Sequence, residues 1–135
     1  MMTKKIRSNC PVSYALELIG DKWSLLILRD IILRDKRFYH EFAASAEGIA
    51  TNILSNRLAM LESNGFINKQ RDTEDRKRYI YSPTEKGLDL LPVIISMMQW
   101  SDKYNNETDI RPPLMEKVRK DPKGYEKSIR AKFSA

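Results

Sequence analysis

A change of period at Asn64-Gly65 constrains this chain more than any other feature. Before it, residues 49–63 carry Ile53, Leu54, Leu58 and Leu61 largely on one side of a helix and Thr51, Asn52, Ser55, Asn56 and Arg57 on the other. After it, "FINKQRD" alternates and "RYIYS" is rich in aromatic and β-branched residues, with the polar "TEDRK" between them. The order is therefore a helix, an Asn-Gly stop suited to a left-handed cap, and a hairpin with a charged tip. Thr84, backed by Glu85 and Lys86, starts another helix.

The chain before this point reads as three helices. Pro11 opens a short one carrying Val12, Ala15, Leu16, Leu18 and Ile19, and Gly20 stops it. "KWSLLILRDIIL" is apolar round much of its circumference, with Trp23 expected in the core. Its aliphatic excess also admits a strand, but its length and recurrence at three and four residues favour a central helix. A third helix begins near Arg37 and ends before Gly48, with Phe38, Phe42 and Ala46 on one side and His40 at the surface. Two modest helices separated by a few residues fit a helix-turn-helix.

Beyond Thr84 the spacing predicts one long helix that Pro92 bends. Leu88, Leu91, Ile95 and Met98 form one stripe, and Leu90, Val93, Ile94, Met97 and Trp100 form a second set. Together they occupy more of the circumference than one small domain covers. A short helix is expected over residues 114–120, stopped by "DPKG", and only a weak helix from Tyr125 onward.

A chain of 135 residues fits one domain with a core of its own. The expected organisation is an N-terminal arm over 1–9, a helix-turn-helix and hairpin domain over 10–104 that includes the long helix 84–104, and a basic helical tail over 105–135. The 24 Lys and Arg against 18 Asp and Glu leave a formal charge of +6, which favours a polyanionic partner. One cysteine and one histidine can build neither an intrachain disulfide nor an ordinary four-ligand zinc site, so no metal or cofactor is expected. The carboxylates show no paired catalytic spacing and the chain has no glycine-rich phosphate loop, which argues against an enzyme. "LDLLPVIISMMQW" carries Asp89 and Pro92 and is too short to span a membrane, so the expected location is the cytoplasm.

A helix with one anchored side and one side of short hydrogen-bonding groups can enter a major groove. Thr51, Asn52, Ser55 and Asn56 are the candidate base-reading residues, with Asn suited to adenine and Thr to the thymine methyl. Arg57 lies between the faces and can reach guanine or phosphate, or pair with Glu62 or another carboxylate. Arg76, Lys77 and Arg78 at the hairpin can reach phosphate or the adjacent minor groove, whereas Asp72, Glu74 and Asp75 can instead close the tip through ion pairs. Lys22 and Ser24 near the start of the second helix, and Lys36 and Arg37 near the third, are further candidates for phosphate. A solvated helix face beside an ordinary hairpin is the competing interpretation.

Taken together, "CPVSYALELIGDKWSLLILRDII", "RFYHEF", "GIATNILSNRLAMLESNGFI" and "YSPTEKG" resemble the HxlR-type winged helix-turn-helix regulators of the MarR-like group, from Cys10 to about Tyr104. The resemblance implies a mainly α fold with a small β-hairpin wing, dimerised through terminal helices. It also implies a homodimer on roughly palindromic double-stranded DNA, with residues 49–63 as the recognition helix and 72–78 as the wing. Leu90, Ile94, Met97 and Trp100 then fall in the dimer interface. The family often has a sensory cysteine where this chain has Cys10, so an oxidant, an electrophile or another small molecule is a candidate effector. Cys10 lies just before a helix start beside Lys5 and Arg7, which favours a thiolate, while a lone cysteine can equally be a small buried hydrophobe. The segment "RDKRF" departs from the family in lacking a glycine, Glu41-Phe42 replaces Glu-Leu, and the wing is more charged than the common form. The resulting expectation is a transcriptional regulator, in its commoner mode a repressor; the alternative is a winged-helix assembly module that binds another protein.

Overall fold

The computed structural model describes residues 6–134, so the basic pair Lys4 and Lys5 lies outside the described residues. The chain divides into two compact units, the first running to Gly87 and the second beginning at Leu88. The first contains α1 (Pro11–Ile19), α2 (Ser24–Leu33), α3 (Tyr39–Ala43), α4 (Thr51–Ser63), β1 (Ile67–Arg71) and β2 (Tyr79–Pro83). A short α5 (Glu85–Leu88) follows, and then α6 (Leu91–Tyr104), α7 (Pro112–Lys120) and α8 (Pro122–Ala131).

Helix α2 is the centre of the first unit, as its all-round apolar character predicts. Ile27, Leu28, Ile31 and Ile32 are buried together with Phe42 of α3, Leu54, Leu58 and Leu61 of α4, and Phe66, Ile67 and Tyr81. Each such side chain contributes about 1.5–3 kcal/mol by leaving water, so truncating Leu28 to alanine would cost about 2–5 kcal/mol with its cavity. Trp23 is only half-buried, with the Lys22 ammonium 5.2 Å from its ring centroid, rather than a core residue. Ile53 departs further from expectation. It is 36% exposed, because Leu54, Leu58 and Leu61 define a narrow buried stripe about 100° away from it round the helix.

Asp21 caps α2: its Oδ2 accepts the Trp23 and Ser24 N–H groups at 3.0 and 2.9 Å. At the other end of α2, Asp35 takes a left-handed conformation with φ 55°, in the segment where the family's glycine is missing. Helix α3 begins at Tyr39, later than Arg37, because the N–H groups of Arg37 and Phe38 turn to Glu41 Oε1 at 2.9 and 3.1 Å. This is the capping geometry of a helix N-terminus.

The stop after α4 is a Schellman turn. Gly65 has φ 81°, its N–H reaches the Glu62 carbonyl at 3.0 Å, and the Phe66 N–H reaches Leu61 at 2.9 Å. The hairpin pairs Ile67 with Pro83 and Arg71 with Tyr79 in antiparallel register. A backbone bond of 2.8 Å from the Tyr81 N–H to the Arg37 carbonyl holds β2 against the segment before α3. Thr84 Oγ1 donates to the Gly65 carbonyl at 2.5 Å and accepts the Gly87 N–H at 3.1 Å. It therefore caps α5 and ties it to the turn after α4.

The single long helix expected after Thr84 is two. Residues Asp89 and Leu90 separate α5 from α6, and Pro92 falls in the first turn of α6, where its missing N–H costs nothing. In the second unit Leu91, Ile94 and Ile95 of α6 are buried with Met115, Val118, Tyr125 and Ile129. Arg119 grips Asp102 through two bonds of 2.6 Å, and Arg130 reaches Asp89 at 2.8 Å. The sequence "DPKG" starts a helix rather than merely stopping one: Asp121 Oδ1 accepts the Gly124 N–H at 3.0 Å and Pro122 opens α8. An Asp-Pro pair is a start signal as well as a breaker, and the amphipathic α8 is well formed. Among the described residues, no helix is long and apolar enough to cross a membrane.

Candidate nucleic-acid interface

Thr51, Asn52, Ser55 and Asn56 are all exposed, on the side of α4 away from its buried leucines. Their surroundings set them apart from one another. The Tyr39 hydroxyl donates to the Thr51 carbonyl at 3.1 Å and shares a hydrogen bond with Ser55 Oγ at 3.2 Å, which fixes the first turns of α4 against α3. Asn56 Oδ1 accepts from the Arg57 guanidinium, from Nε at 3.0 Å and from Nη2. Arg57 also lies 3.5 Å from Asp21 Oδ1, so its carboxylate partner is Asp21 and not Glu62. Burial opposes the charged form of Asp21 most, but its bonds from Ser24 and Trp23, together with Arg57, leave the carboxyl below its usual range.

The wing tip is held closed by an acid-base pair. Arg78 Nε lies 2.6 Å from Asp72 Oδ2, and Asp72 is buried at 5% exposure while accepting the Glu74 N–H. Hydrogen bonding from Arg78 holds the Asp72 carboxyl below its usual range and raises the guanidinium in turn. Arg78 also stacks over Phe38 at 4.0 Å. Its charge therefore serves the hairpin, whereas Arg76 and Lys77 stand exposed at the tip. Tyr79 anchors two more cations, Lys69 at 4.2 Å and Arg71 at 4.7 Å from its ring. Sequence reasoning did not assign Lys69, Arg71 or Tyr39. The cross-strand register that pairs Arg71 with Tyr79 is the signal for the wing cations, and it is visible only once the hairpin is aligned.

Three expected phosphate ligands are committed elsewhere. Ser24 is buried at 1% and its hydroxyl donates to Asp21 at 2.6 Å. Lys36 Nζ donates to Ser45 Oγ at 2.8 Å and lies 3.8 Å from the buried Asp30. The Arg37 guanidinium donates to the Ile31 and Lys36 carbonyls at 2.6 and 2.8 Å. The physical reason is shared: the ends of α2 leave polar backbone and one buried carboxylate that need donors. Lys22 remains exposed. Asp21 follows the Gly20 stop and precedes an apolar run, a position that is itself a capping signal.

Cys10 is exposed at the N-terminus of α1. Its thiol is held below the usual value by the N–H groups of Ser13 and then Val12. Arg7, expected to help, lies 3.5 Å from Glu17 instead. Only Ile19 of α1 is buried, leaving Val12, Tyr14 and Leu16 exposed. Among the residues expected at a dimer interface, Met97 and Trp100 are 52% and 67% exposed and Leu90 is half-buried, but Ile94 belongs to the core of its own unit at 6%. Val93 and Tyr104 are exposed with Met97 and Trp100, giving a stripe at positions 93, 97, 100 and 104 along α6.

A helix-turn-helix followed by a two-stranded wing defines the winged-helix class of transcription regulators. Within it the chain belongs to the HxlR-like helix-turn-helix family, whose family model matches residues 18–109. An uncharacterised HTH-type transcriptional regulator of Mycobacterium tuberculosis is 41% identical over 93 residues, 69% of this chain and 58% of that protein. The chain thus matches less than two thirds of that relative's length. The solved structure of PA1607, a proposed transcription factor, has a TM-score of 0.69 and 34% identity over 78% of this chain and 74% of its own. The redox regulator HypR in its oxidised form has a TM-score of 0.62 and 26% identity over 75% of this chain and all of its own. The family and these relatives are transcription regulators, not enzymes.

Proposed function

We propose that the protein is a homodimeric, sequence-specific DNA-binding regulator that represses by occupying a roughly palindromic operator. The observation that carries this reading is the exposed polar face of α4 beside a wing tip whose Arg76 and Lys77 are exposed. Asn52, Asn56, Thr51 and Ser55 would face the major groove, while Arg76, Lys77 and Lys22 would meet phosphates. Two recognition helices held about 34–36 Å apart would enter successive major grooves, one per protomer. The stripe of Val93, Met97, Trp100 and Tyr104, with the exposed apolar residues of α1, would be covered by the second protomer.

The same reading makes Cys10 the point where an oxidant or electrophile acts. Its exposure and its helix N-terminus favour the thiolate, the reactive form. HypR, a regulator of similar structure, is described as a redox regulator. Modification at α1 would alter the spacing of the two recognition helices, and because both must engage at once a small change is enough to release DNA.

The deciding experiment is binding to DNA fragments flanking the protein's own gene and to a random-sequence library, over a salt series with random competitor. Tight, competitor-resistant binding that weakens with salt is the expected result. Salt-independent, sequence-indifferent weak binding to both would instead favour an assembly module that uses the exposed α6 stripe to hold another protein.

A further inference from the structure

Resting on the DNA-binding reading above, we propose that Asn56 recognises a guanine rather than an adenine, because Asp21 and Arg57 fix its side-chain amide as a donor. An asparagine amide has one oxygen with two acceptor sites and one nitrogen with two donor hydrogens. Both acceptor sites of Asn56 are engaged, by Nε and Nη2 of the same guanidinium. A guanidinium has donors only and stays charged, so the oxygen must be the atom turned toward it. The amide nitrogen of the exposed Asn56 is then the group left facing outward.

Arg57 is itself held in place. Its Nη1 lies 3.5 Å from Asp21 Oδ1, and Asp21 is fixed by three bonds that cap α2, from the Trp23 and Ser24 N–H groups and the Ser24 hydroxyl. The capped end of one helix thereby orients a base-reading side chain on another. Asn52, one turn earlier on the same face, makes no such bond among the described residues and keeps both halves of its amide. Two asparagines of identical chemistry thus present different faces.

In the major groove adenine offers one acceptor, N7, and one donor, N6, which suits an amide that can both donate and accept. Guanine offers two acceptors, N7 and O6. A donor-only amide can bond both acceptors of guanine, whereas on adenine it finds a single acceptor, N7, beside the N6 donor. Asp21 and Arg57 are positioning residues in this scheme, and Asn56 is the reading residue.

The test is selection from a random-sequence duplex library, followed by sequencing, with the wild type, Asn56→Ala, Arg57→Met and Asn52→Ala, each checked for folding by thermal melting. The wild type should enrich guanine about five- to tenfold over adenine at one half-site position, a preference in the range of a well-placed base contact. Asn56→Ala should lose that preference at that position alone, and Asn52→Ala should act at another. Arg57→Met frees the amide oxygen and should move the same position toward adenine. Adenine or thymine at the Asn56-dependent position in the wild type, no such position, or guanine retained in a folded Arg57→Met variant each overturns the inference. If Arg57→Met does not fold, the comparison of the wild type with Asn56→Ala still decides which base is read. A wild type that enriches no sequence defeats the DNA-reading function itself, an outcome distinct from enrichment of the wrong base.

Discussion

Arg29 and Glu47 form a paired salt bridge across 18 positions of sequence, Nη1 to Oε2 and Nη2 to Oε1, both at 2.9 Å. The same guanidinium reaches the buried Asp30 at 2.8 Å. Glu47 lies in the turn just before α4, so this pair joins the central helix α2 to the entry of α4. The Arg29 bonds pull the Glu47 carboxyl down to about 2.

The sign of the pH effect follows. A carboxyl whose folded value is depressed stabilises fully above its unfolded value near 4.5, and the contribution fades as pH falls toward about 2. Glu47 is a third exposed, so solvent screening reduces the contribution to about 1 kcal/mol. Urea unfolding at pH 5 and pH 3 should show the wild type losing more stability than Glu47→Gln. Equal losses would mean that the pair contributes nothing measurable.

The two classes of proposed DNA contact should separate by salt. Asn52→Ala should relax sequence discrimination and leave binding to random DNA nearly unchanged. Arg76→Ala or Lys77→Ala should weaken binding to every sequence and lower the salt slope by about 1. Fluorescence anisotropy with operator and random duplexes distinguishes them; identical behaviour would remove the division between reading and positioning.

For the α6 stripe, Met97→Asp or Trp100→Asp should halve the mass seen by sedimentation while leaving the melting curve close to that of an isolated folded subunit. Ile94→Asp should act differently, since its side chain is only 6% exposed within its own unit. An unpaired buried charge there should unfold the second unit. Unchanged mass for the first two variants would remove the stripe from the interface.

Cys10→Ser should bind DNA as the wild type does under reducing conditions and should lose any response to mild peroxide or a quinone. Intact-mass spectrometry of the treated wild type should place the modification on Cys10, the chain's one cysteine. A response that persists in Cys10→Ser would assign sensing to another group.

Gly87→Ala should be costly for a purely geometric reason. A Cβ there would fall 2.2 Å from the Phe66 carbonyl oxygen, which Thr84 N–H already approaches at 3.1 Å. Backbone must shift to admit it, and thermal melting should show a loss of about 1–3 kcal/mol. A neutral result would mean that the turn joining the hairpin to α5 is loosely held.

The order of helix, stop, hairpin and helix was legible in the chain because each depends on local chemistry. Period sets α4 against β1, Asn64-Gly65 supplies the left-handed stop, and the Thr84 hydroxyl caps the start of α5. The exposed face of Asn52 and Asn56 followed from the same helical spacing. What lay beyond reach was which polar side chain each partner would claim. Ser24, Lys36, Arg37, Arg57 and Arg78 all carry hydrogen-bonding groups that suit a phosphate, yet the fold turns them to Asp21, Ser45, backbone carbonyls, Asn56 and Asp72. Likewise Ile53 and Ile94 exchanged their expected places, one exposed and one buried, because the width of a buried stripe depends on what packs against it. Sequence determined the elements through local periodicity and capping, whereas tertiary structure decided the commitments of the charges, since a buried carboxylate or an open helix end takes the nearest donor that the fold brings to it.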